Sequence, residues 1–276
     1  MLILESSSLD VYRNLAVEEY LMEHSTEPVL MLWRSDCAVV VGKNQNPWRE
    51  CRLERMRNDG VPLARRISGG GTVYHDIGNL NYCVVVDRMA YRAELAYEMV
   101  IQALETLGVR AEKTGKSNLA VKGLKFSGNA FCFRKGRALH HGTLLLDTDL
   151  ERLARYLGPS LNAIETRAIR SAPAEVANLG LDPAAVAAAL KARFKTLYGK
   201  DGEPSTLPEP APSPAALEKQ RSADWLYGAT PKFTVDIHNL HLEVEKGRVI
   251  AARGPQAERF LDTPFSESAL SLPPEY

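Results

Sequence analysis

Two short stretches of the sequence combine basic side chains with glycine, and both could bind a negatively charged group. The first, RRISGGG, begins at Arg65 and ends with three consecutive glycines, residues 69–71. Glycine has no Cβ and accepts a positive φ, so a ligand can lie directly against successive backbone amides. An arginine can add a fork of donors to a phosphate or a carboxylate. From these residues alone, a tight turn with two solvated arginines is an equally good interpretation.

The second stretch, KFSGNAF, places Lys125 just before a serine and a glycine. A lysine ammonium is a compact charge that can stabilise negative charge developing in a reaction. Alternation along a strand equally allows Lys125 to lie on the surface, as Lys122 is expected to do.

His140 and His141 precede the apolar run GTLLL. Adjacent strand residues point to opposite faces, so the two histidines make a poor metal pair. We expect one of them to be structural and the other to line the site.

Other motifs are weaker. TGKS, residues 114–117, looks like the end of a phosphate-binding P-loop, but the glycine required five positions before Gly115 is Arg110. HNLH in the C-terminal part, with His238 and His241, has no further metal ligands around it. The four cysteines form no C-x-x-C pair, which is typical of reduced thiols in a cytosolic protein.

The composition excludes several classes of function. The 276 residues carry 34 basic and 34 acidic side chains, so no overall field attracts nucleic acid or acidic lipid, and any preference for anions must be local. No apolar run approaches the roughly 20 residues that span a bilayer. The start, MLILESSSLD, lacks the basic region of a signal peptide.

The pattern predicts alternating helices and strands. Helical spacing appears at residues 17–24, at residues 95–107 before Gly108, and after the N-cap Asp182 and Pro183. VLMLW, AVVVG and GTLLL read as buried strands. TVYHD and NYCVVV, around the turn DIGN, predict one hairpin, and LAVKGLKFSGNAF predicts a second. Helices between groups of strands indicate a mixed sheet covered by helices.

A change in composition divides the chain. Residues 199–214, GKDGEPSTLPEPAPSP, hold five of the sixteen prolines and predict a semi-rigid linker. The predicted organisation is therefore a domain over residues 1–198, the linker, and a small domain over residues 215–276. Because the tail has little apolar content for a core of its own, we expect it to lean on the larger domain and to act as a movable cover.

The chain resembles the lipoate–protein ligase A family over about residues 5–255. Five stretches carry the resemblance, in the family's order: NLAVEEYL, LWRSDCAVVVGKNQNPWREC, LARRISGGGTVYHDIGNLN, KFSGNAF and HHGTLLLDTDLERLARYL. The resemblance implies an α/β (α+β) fold, with a mixed sheet covered by helices. It also implies a catalytic domain of the biotin/lipoate ligase type and a small, truncated C-terminal accessory domain.

The resemblance also implies an activity. The family activates lipoate (or octanoate) with ATP and Mg²⁺ to lipoyl-AMP, and then transfers the lipoyl group to a lysine of an acceptor domain. The acceptor would be an E2 protein of a 2-oxoacid dehydrogenase or a glycine-cleavage H-type protein. Together with the charge balance and the cysteine pattern, we expect a cytoplasmic monomer that binds neither nucleic acid nor membrane.

Residue roles are carried over by position in the shared stretches. Lys125 matches the family's central lysine, which contacts the carboxyl oxygens and the α-phosphate and is the implied catalytic residue. The implied contacts to ATP and lipoyl-AMP are Arg66, Gly70, Gly71, Thr72, Val73, Tyr74 and Lys125. Further residues that could shape the pocket are Asn44 to Pro47, His75, Asp76, Asn79, Asn118, Ser127, Gly128 and His140. The metal ligands stay open.

Three features depart from the family, and three other functions remain as alternatives. Asn118 stands where the family commonly has an aspartate, Glu175 stands where it has an arginine, and the tail is shorter than the usual accessory domain. An ATP-independent octanoyl transferase of the same fold needs a nucleophilic cysteine, and Cys132, flanked by phenylalanines, is more typical of a buried inert thiol. A biotin ligase and a non-catalytic adenylate-binding homologue are the other two alternatives.

Overall fold

The computed structural model describes residues 1–199, 210–237 and 239–266. In this part of the chain, no helix has both the length and the apolar character needed to cross a membrane. Most of the predicted linker and His238 lie outside the described residues. The strands are β1 (Leu2–Glu5), β2 (Val29–Trp33), β3 (Cys37–Val41), β4 (Leu63–Arg65), β5 (Val73–Asp76), β6 (Asn79–Asp87), β7 (Glu112–Thr114), β8 (Asn118–Val121), β9 (Leu124–Arg134), β10 (Arg137–Leu145), β11 (Ile164–Thr166), β12 (Phe233–Ile237), β13 (Leu240–Glu245) and β14 (Arg248–Arg253).

The helices begin and end at recognisable signals. Asp10 caps the first helix by accepting from the amides of Tyr12 and Arg13, and Asp182 caps the sixth, where Pro183 is the first helical residue. The helices are α1 (Val11–His24), α2 (Pro47–Glu50), α3 (Leu53–Asn58), α4 (Ala93–Glu105), α5 (Leu150–Tyr156), α6 (Pro183–Tyr198) and α7 (Pro214–Arg221). A π-helical turn covers Asp224–Gly228 and a 3₁₀ turn covers Ala257–Arg259.

The chain forms two compact units, each made of segments that are not contiguous in sequence. Unit 1 consists of Met1–Cys37, His75–Leu150 and Pro173–Leu217, and unit 2 consists of Ala38–Tyr74, Glu151–Ala172 and Glu218–Tyr276. The chain therefore crosses from one unit to the other several times. The assignment of residues 1–198 and 215–276 to separate domains stays a prediction.

Unit 1 is built on a mixed seven-stranded sheet with the strand order β1-β2-β6-β10-β9-β8-β7. Only β1 and β2 run parallel, and the other neighbouring pairs are antiparallel. Met99 of α4 and Phe194 of α6 lie in one buried cluster with Tyr82 of β6 and Phe126 of β9. The predicted mixed sheet covered by helices is confirmed.

Unit 2 contains a three-stranded sheet, β4-β3-β5, and a four-stranded sheet, β11-β12-β13-β14. The second sheet joins a strand from before the proline-rich stretch to three strands from after it, because β11 pairs antiparallel with β12. The ring of Trp48 lies 5.3 Å from that of Tyr227, 5.4 Å from Phe233 and 5.0 Å from Phe265, centroid to centroid.

One predicted hairpin is confirmed and the other is wrong. β8 and β9 pair antiparallel across the turn at residues 122–123, as predicted. β5 and β6, however, belong to different sheets: β6 lies between β2 and β10, so both of its edges are occupied, and β5 joins the sheet of β3. Alternating strands around a turn predict two strands correctly, but they do not show which edge each strand will pair with.

Candidate functional site

The three glycines lie in a loop between β4 and β5 in unit 2, in which Gly70 is exposed and Gly69 and Gly71 are half-buried. Gly70 has φ +81°, a left-handed conformation that glycine adopts readily and other residues do not. A Cβ on Gly42, at the end of β3, would lie 2.5 Å from the carbonyl oxygen of Gly70 and 2.9 Å from that of Gly69. Glycine at position 42 therefore lets the loop approach the strand end this closely.

Arg66 is buried, and its guanidinium donates hydrogen bonds to carbonyl oxygens of the loop. Its Nη2 donates to the oxygens of Gly69 and Gly71, both at 2.6 Å, while Nε donates to Ser68 Oγ and Nη1 to the carbonyl of Val40. These contacts make Arg66 the organiser of the loop. Its implied role as a direct nucleotide contact stays a prediction.

The far end of the loop is fixed by two side chains. Ser171 Oγ accepts the amide of Thr72 at 2.9 Å and also receives Gln45 Nε2 at 3.0 Å. Gln45 Oε1 accepts the Thr72 hydroxyl at 2.9 Å and the amide of Gly42 at 2.8 Å. Gln45 lies in the stretch 44–47 that the sequence singled out. Ser171 was missed, because it lies about a hundred residues from the loop and no local pattern marks it.

Three backbone amides of the loop make no hydrogen bond to the described part of the protein. In a trans peptide the C=O and the following N–H point in opposite directions. Since the carbonyl of Gly69 faces Arg66, the amide of Gly70 faces away from it. Within the described residues, the amides of Gly69, Gly70 and Gly71 donate to no protein acceptor. Successive amides of this kind bind phosphate and carboxylate oxygens.

Lys125 lies on β9 of unit 1 at a β-bulge. Ser127 pairs with Leu119 but Lys125 pairs with Ala120, so Phe126 is the extra residue. Bulges of this kind redirect side chains and are frequent beside active sites. Lys125 also exchanges backbone hydrogen bonds with the segment 175–177, donating to the carbonyl of Glu175 and accepting from the amide of Ala177, both at 3.0 Å.

The bulge brings the ammonium of Lys125 onto Gly128. A Cβ at position 128 would lie 3.3 Å from Lys125 Nζ and 4.0 Å from Thr143 Oγ1. In a regular strand, residues three apart point to opposite faces, so the extra residue accounts for their meeting on one face. Glycine at position 128 leaves room for the lysine side chain.

A buried hydrogen-bond network lies beside this segment and is centred on Asn129. Its Oδ1 accepts from the Tyr82 hydroxyl and lies 3.0 Å from His140 Nε2, and its Nδ2 donates to Ser127 Oγ and the carbonyl of Ser117. Because Oδ1 only accepts, His140 carries its proton on Nε2 and accepts from the Tyr91 hydroxyl at Nδ1, 2.9 Å away. Burial lowers the pKa of His140 to about 3, so the ring is neutral.

His141 faces the opposite side of β10 and belongs to a second network. Its Nδ1 lies 2.7 Å from Oε2 of Glu18, and Oε1 of the same buried carboxylate accepts from Trp33 Nε1 at 2.9 Å. The indole of Trp33 meets the buried ring of His75 edge-on at 5.4 Å. The sequence did not single out Glu18 or Trp33; a carboxylate on the apolar face of a predicted helix was the available signal.

Comparison with known proteins identifies the family. Residues 10–195 match the model of the lipoyl protein ligase A/B catalytic domain. The chain belongs to this family. Among similar solved structures is Plasmodium falciparum LipL1 in complex with lipoate, at 26% identity, a TM-score of 0.72, and coverage of 90% of this chain and 82% of that one.

Two further structures agree with the assignment. The bi-partite lipoate protein ligase of Thermoplasma acidophilum, described with its E2 lipoyl domain, is 26% identical, with a TM-score of 0.68 and coverage of 83% of this chain and 96% of that one. A lipoate-protein ligase A bound with ATP is 27% identical, with a TM-score of 0.69 and coverage of 83% and 98%. The expected fold of the lipoate ligase family is thereby confirmed.

The remaining predicted site residues of this ligase-family chain lie in both units. Asp76 has a structural contact on each oxygen, since Oδ1 accepts the amide of Gly78 and Oδ2 that of Asp149. Asn79 donates to Asn81, and both are buried. Tyr74 packs its buried ring against Tyr156, so any contact it makes to a nucleotide must come from its backbone. Val73 is half-buried beside it.

The described residues do not form a metal cage of their own. In residues 1–199, 210–237 and 239–266 no group of three or more His, Cys, Asp or Glu side chains could hold a metal ion. Mg²⁺ in nucleotide-dependent enzymes is usually held by substrate phosphates, its own waters and one or two carboxylates. Asn118 is half-buried and pairs with Gly128 in the β8–β9 ladder. Its backbone therefore lies beside the stretch of β9 that carries Lys125.

Proposed function

We propose that this chain is a lipoate–protein ligase, which activates lipoate or octanoate with ATP and transfers the acyl group to a lysine of a lipoyl acceptor domain. The observation that carries the proposal is the glycine loop, whose amides are available to an anion while Arg66 holds its carbonyls. Structures similar to this chain have been solved with ATP and with lipoate. Lys125 supplies a positively charged group in addition to the amides of the glycine loop.

In the first step the carboxylate of lipoate attacks the α-phosphorus of ATP. An oxygen–phosphorus bond forms, the bond to the β-phosphate breaks, and pyrophosphate leaves with its electron pair. The pentacovalent phosphorus centre carries extra negative charge, so preorganised donors stabilise it more than they stabilise the substrates. We assign this role to the Lys125 ammonium, and we assign to the amides of the glycine loop the binding of ATP phosphate oxygens. Mg²⁺, when bound with ATP, would screen the charge of the leaving pyrophosphate.

In the second step the acceptor lysine attacks the acyl carbonyl of the adenylate. The tetrahedral intermediate carries an oxyanion, and its collapse breaks the bond to AMP and leaves an amide. The lysine attacks as a neutral amine and releases its surplus proton to solvent water, while AMP leaves with the electron pair of the broken bond. Because the adenylate is already activated, no protein nucleophile is needed. Lys125 would stabilise the oxyanion, which lets one fixed charge serve both steps.

The acceptor is proposed from chemistry and from one relative. A lipoyl acceptor must present an accessible lysine amine, as an E2 lipoyl domain or a glycine-cleavage H-type protein does. The Thermoplasma acidophilum ligase has been described with its E2 lipoyl domain. A cytoplasmic location and a monomeric state belong to the same proposal.

The test is a single assay with the purified full chain. Lipoate, ATP labelled in the α-phosphate, Mg²⁺ and an acceptor domain are supplied together and then with one component omitted. The proposal expects labelled lipoyl-AMP without acceptor, and acceptor lipoylation that requires ATP. Acyl transfer from acyl carrier protein without ATP, abolished by Cys132→Ser, would instead establish the transferase. Binding of lipoyl-AMP without transfer would establish a non-catalytic homologue.

A further inference from the structure

Arg65 is fully buried in unit 2, and each of its hydrogen bonds to the described residues goes to a neutral oxygen. Nη1 donates to the carbonyls of Gly42, Lys43 and Gln45 at 3.0–3.1 Å. On its other side, Nε and Nη2 donate to the carbonyl of Leu226 at 3.1 and 2.6 Å, and Nη2 donates to Thr230 Oγ1 at 2.9 Å. Arg65 therefore joins the 42–45 turn to the segment 226–230 near the C-terminus.

The same turn holds the glycine loop. Gln45, whose carbonyl accepts from Arg65, binds the Thr72 hydroxyl and Ser171 through its side chain. Gly42, whose carbonyl also accepts from Arg65, is the residue against which the carbonyls of Gly69 and Gly70 pack. A displacement of Arg65 would therefore reach both ends of the loop, through Gln45 at Thr72 and through Gly42 at Gly69 and Gly70.

A buried arginine is a costly way to join two segments. Desolvation lowers the pKa of Arg65 to about 10, which reflects the cost of burying its charge. Replacing buried charged groups by well-packed apolar side chains is often neutral or stabilising. The guanidinium differs from an apolar side chain in that its planar set of donors fixes the positions of the acceptor oxygens around it. Trp225 adds a further tie, since its Nε1 donates to the carbonyl of Arg65 at 2.7 Å.

We propose that the segment 226–230 positions the glycine loop through Arg65, and that Thr230 is a positioning residue for nucleotide binding. The inference rests on the proposed function for its ATP-dependent readout. It gives the C-terminal segment a task in building the anion site, beyond the packing of its own sheet.

Thr230→Val tests the proposal because valine keeps the shape of threonine and removes the oxygen that Arg65 binds. We expect the Kd and KM for ATP to rise about three- to tenfold, which is less than the full effect of one lost hydrogen bond to a charged group because Thr230 acts on the loop through Arg65. The KM for lipoate should stay unchanged, and Thr230→Ser should restore ATP binding. The matched control is Thr263→Val, which removes a hydroxyl bound to the carbonyl of Phe260, in the same unit but outside the segment 226–230. It should bind ATP like the unaltered protein.

A second measurement separates this inference from the proposed function. Hydrogen exchange without nucleotide reports the amides of Gly42 and Thr72, which are bonded to Gln45 and Ser171. In Thr230→Val they should exchange faster, whereas Thr263→Val should leave them unchanged. If the unaltered chain makes no lipoyl-AMP, the proposed function fails and this exchange result still decides the positioning. Unchanged exchange and unchanged ATP affinity in Thr230→Val would overturn the inference.

Discussion

Lys125 is the residue with the most direct predicted effect on chemistry. Lys125→Ala should lose about 10²–10³ in the rate of lipoyl-AMP formation, and it should also slow transfer from supplied lipoyl-AMP, since both steps develop negative charge. Lys125→Arg should not restore activity, because a planar fork cannot replace a point charge in the space beside Gly128. Single-turnover rates of the two half-reactions provide the measurement. Near-normal rates in both would make Lys125 an ordinary strand residue.

Gly128→Ala is a milder substitution next to Lys125. Its backbone does not have positive φ, so alanine fits the strand, but the new Cβ would lie 3.3 Å from Lys125 Nζ and 3.4 Å from Cε. The end of a flexible side chain can move aside at little cost. We expect Gly128→Ala to keep its unfolding midpoint and to slow both half-reactions, by less than Lys125→Ala does. A variant with unaltered rates would show that the position of the ammonium is not critical.

His140 should make stability depend on pH. An unperturbed histidine has a pKa of about 6.5, whereas burial lowers the pKa of His140 to about 3. Between these values the unfolded chain binds a proton that the folded protein does not. The free energy of unfolding therefore falls as pH falls from about 6.5 towards 3, by up to about 1.4 kcal/mol per pH unit from this group.

The variant His140→Gln removes this titration while keeping a donor and an acceptor. Urea unfolding at a series of pH values should show a smaller loss of stability on acidification than in the unaltered protein. Equal slopes for the two proteins would mean that other groups account for the acid sensitivity.

At the scale of residues, the sequence indicated which side chains carry chemistry but not what they contact. Lys125, the glycines and the two histidines were all found from type and neighbours. The roles of Arg65 and Arg66 were not separable, because both precede the same glycines, and only the fold places one against Leu226 and the other against the loop. Ser171 and Thr230 approach from distant segments, so no local pattern could reveal them.

At the scale of elements, periodicity predicted α1, α4 and α6 and most strands, and strand pairing was the weak point. Caps at Asp10 and Asp182 depend on neighbouring residues alone, which explains why helix positions follow from the sequence. Pairing depends on which sheet edges are open, and this is a property of the whole fold. The misassigned β5–β6 hairpin and the unforeseen β11–β12 pair both have this origin.

Two glycine-to-alanine substitutions at the glycine loop are expected to have different effects. Gly42→Ala places a Cβ 2.5 Å from a backbone oxygen, so the loop must shift, whereas a Cβ on Gly69 meets nothing within 4 Å. Gly42→Ala should therefore lower stability by about 1–3 kcal/mol and weaken ATP binding. Gly69→Ala should keep full stability and still weaken ATP binding, because its methyl group occupies the space a ligand needs beside the amides.

Calorimetric titration with ATP and thermal unfolding separate the two effects. Gly69→Ala is the more informative variant, since its added Cβ meets no protein atom within 4 Å. If it binds ATP as tightly as the unaltered chain, the ligand does not lie against these amides and the anion site must be sought elsewhere.

At the scale of the whole molecule, the question is whether the C-terminal segment beyond residue 199 can be removed. The expected movable cover stays a prediction, but within unit 2 the segment has fixed tasks: it supplies Leu226 and Thr230 to Arg65, and Tyr227, Phe233 and Phe265 to the ring of Trp48. Movement of the segment would have to break these contacts or carry their partners along.

Ending the chain after residue 199 should therefore unfold unit 2 rather than uncover a working enzyme. Removing the partners of a buried charge costs about 3–5 kcal/mol, and exposing the ring of Trp48 adds about 1.5–3 kcal/mol. Their sum is comparable to the whole stability of a typical domain, about 5–15 kcal/mol. We expect rapid proteolysis within residues 38–74 and the loss of both half-reactions together. A shortened chain that resists proteolysis there and still transfers from supplied lipoyl-AMP, while failing to form it, would support the movable cover instead.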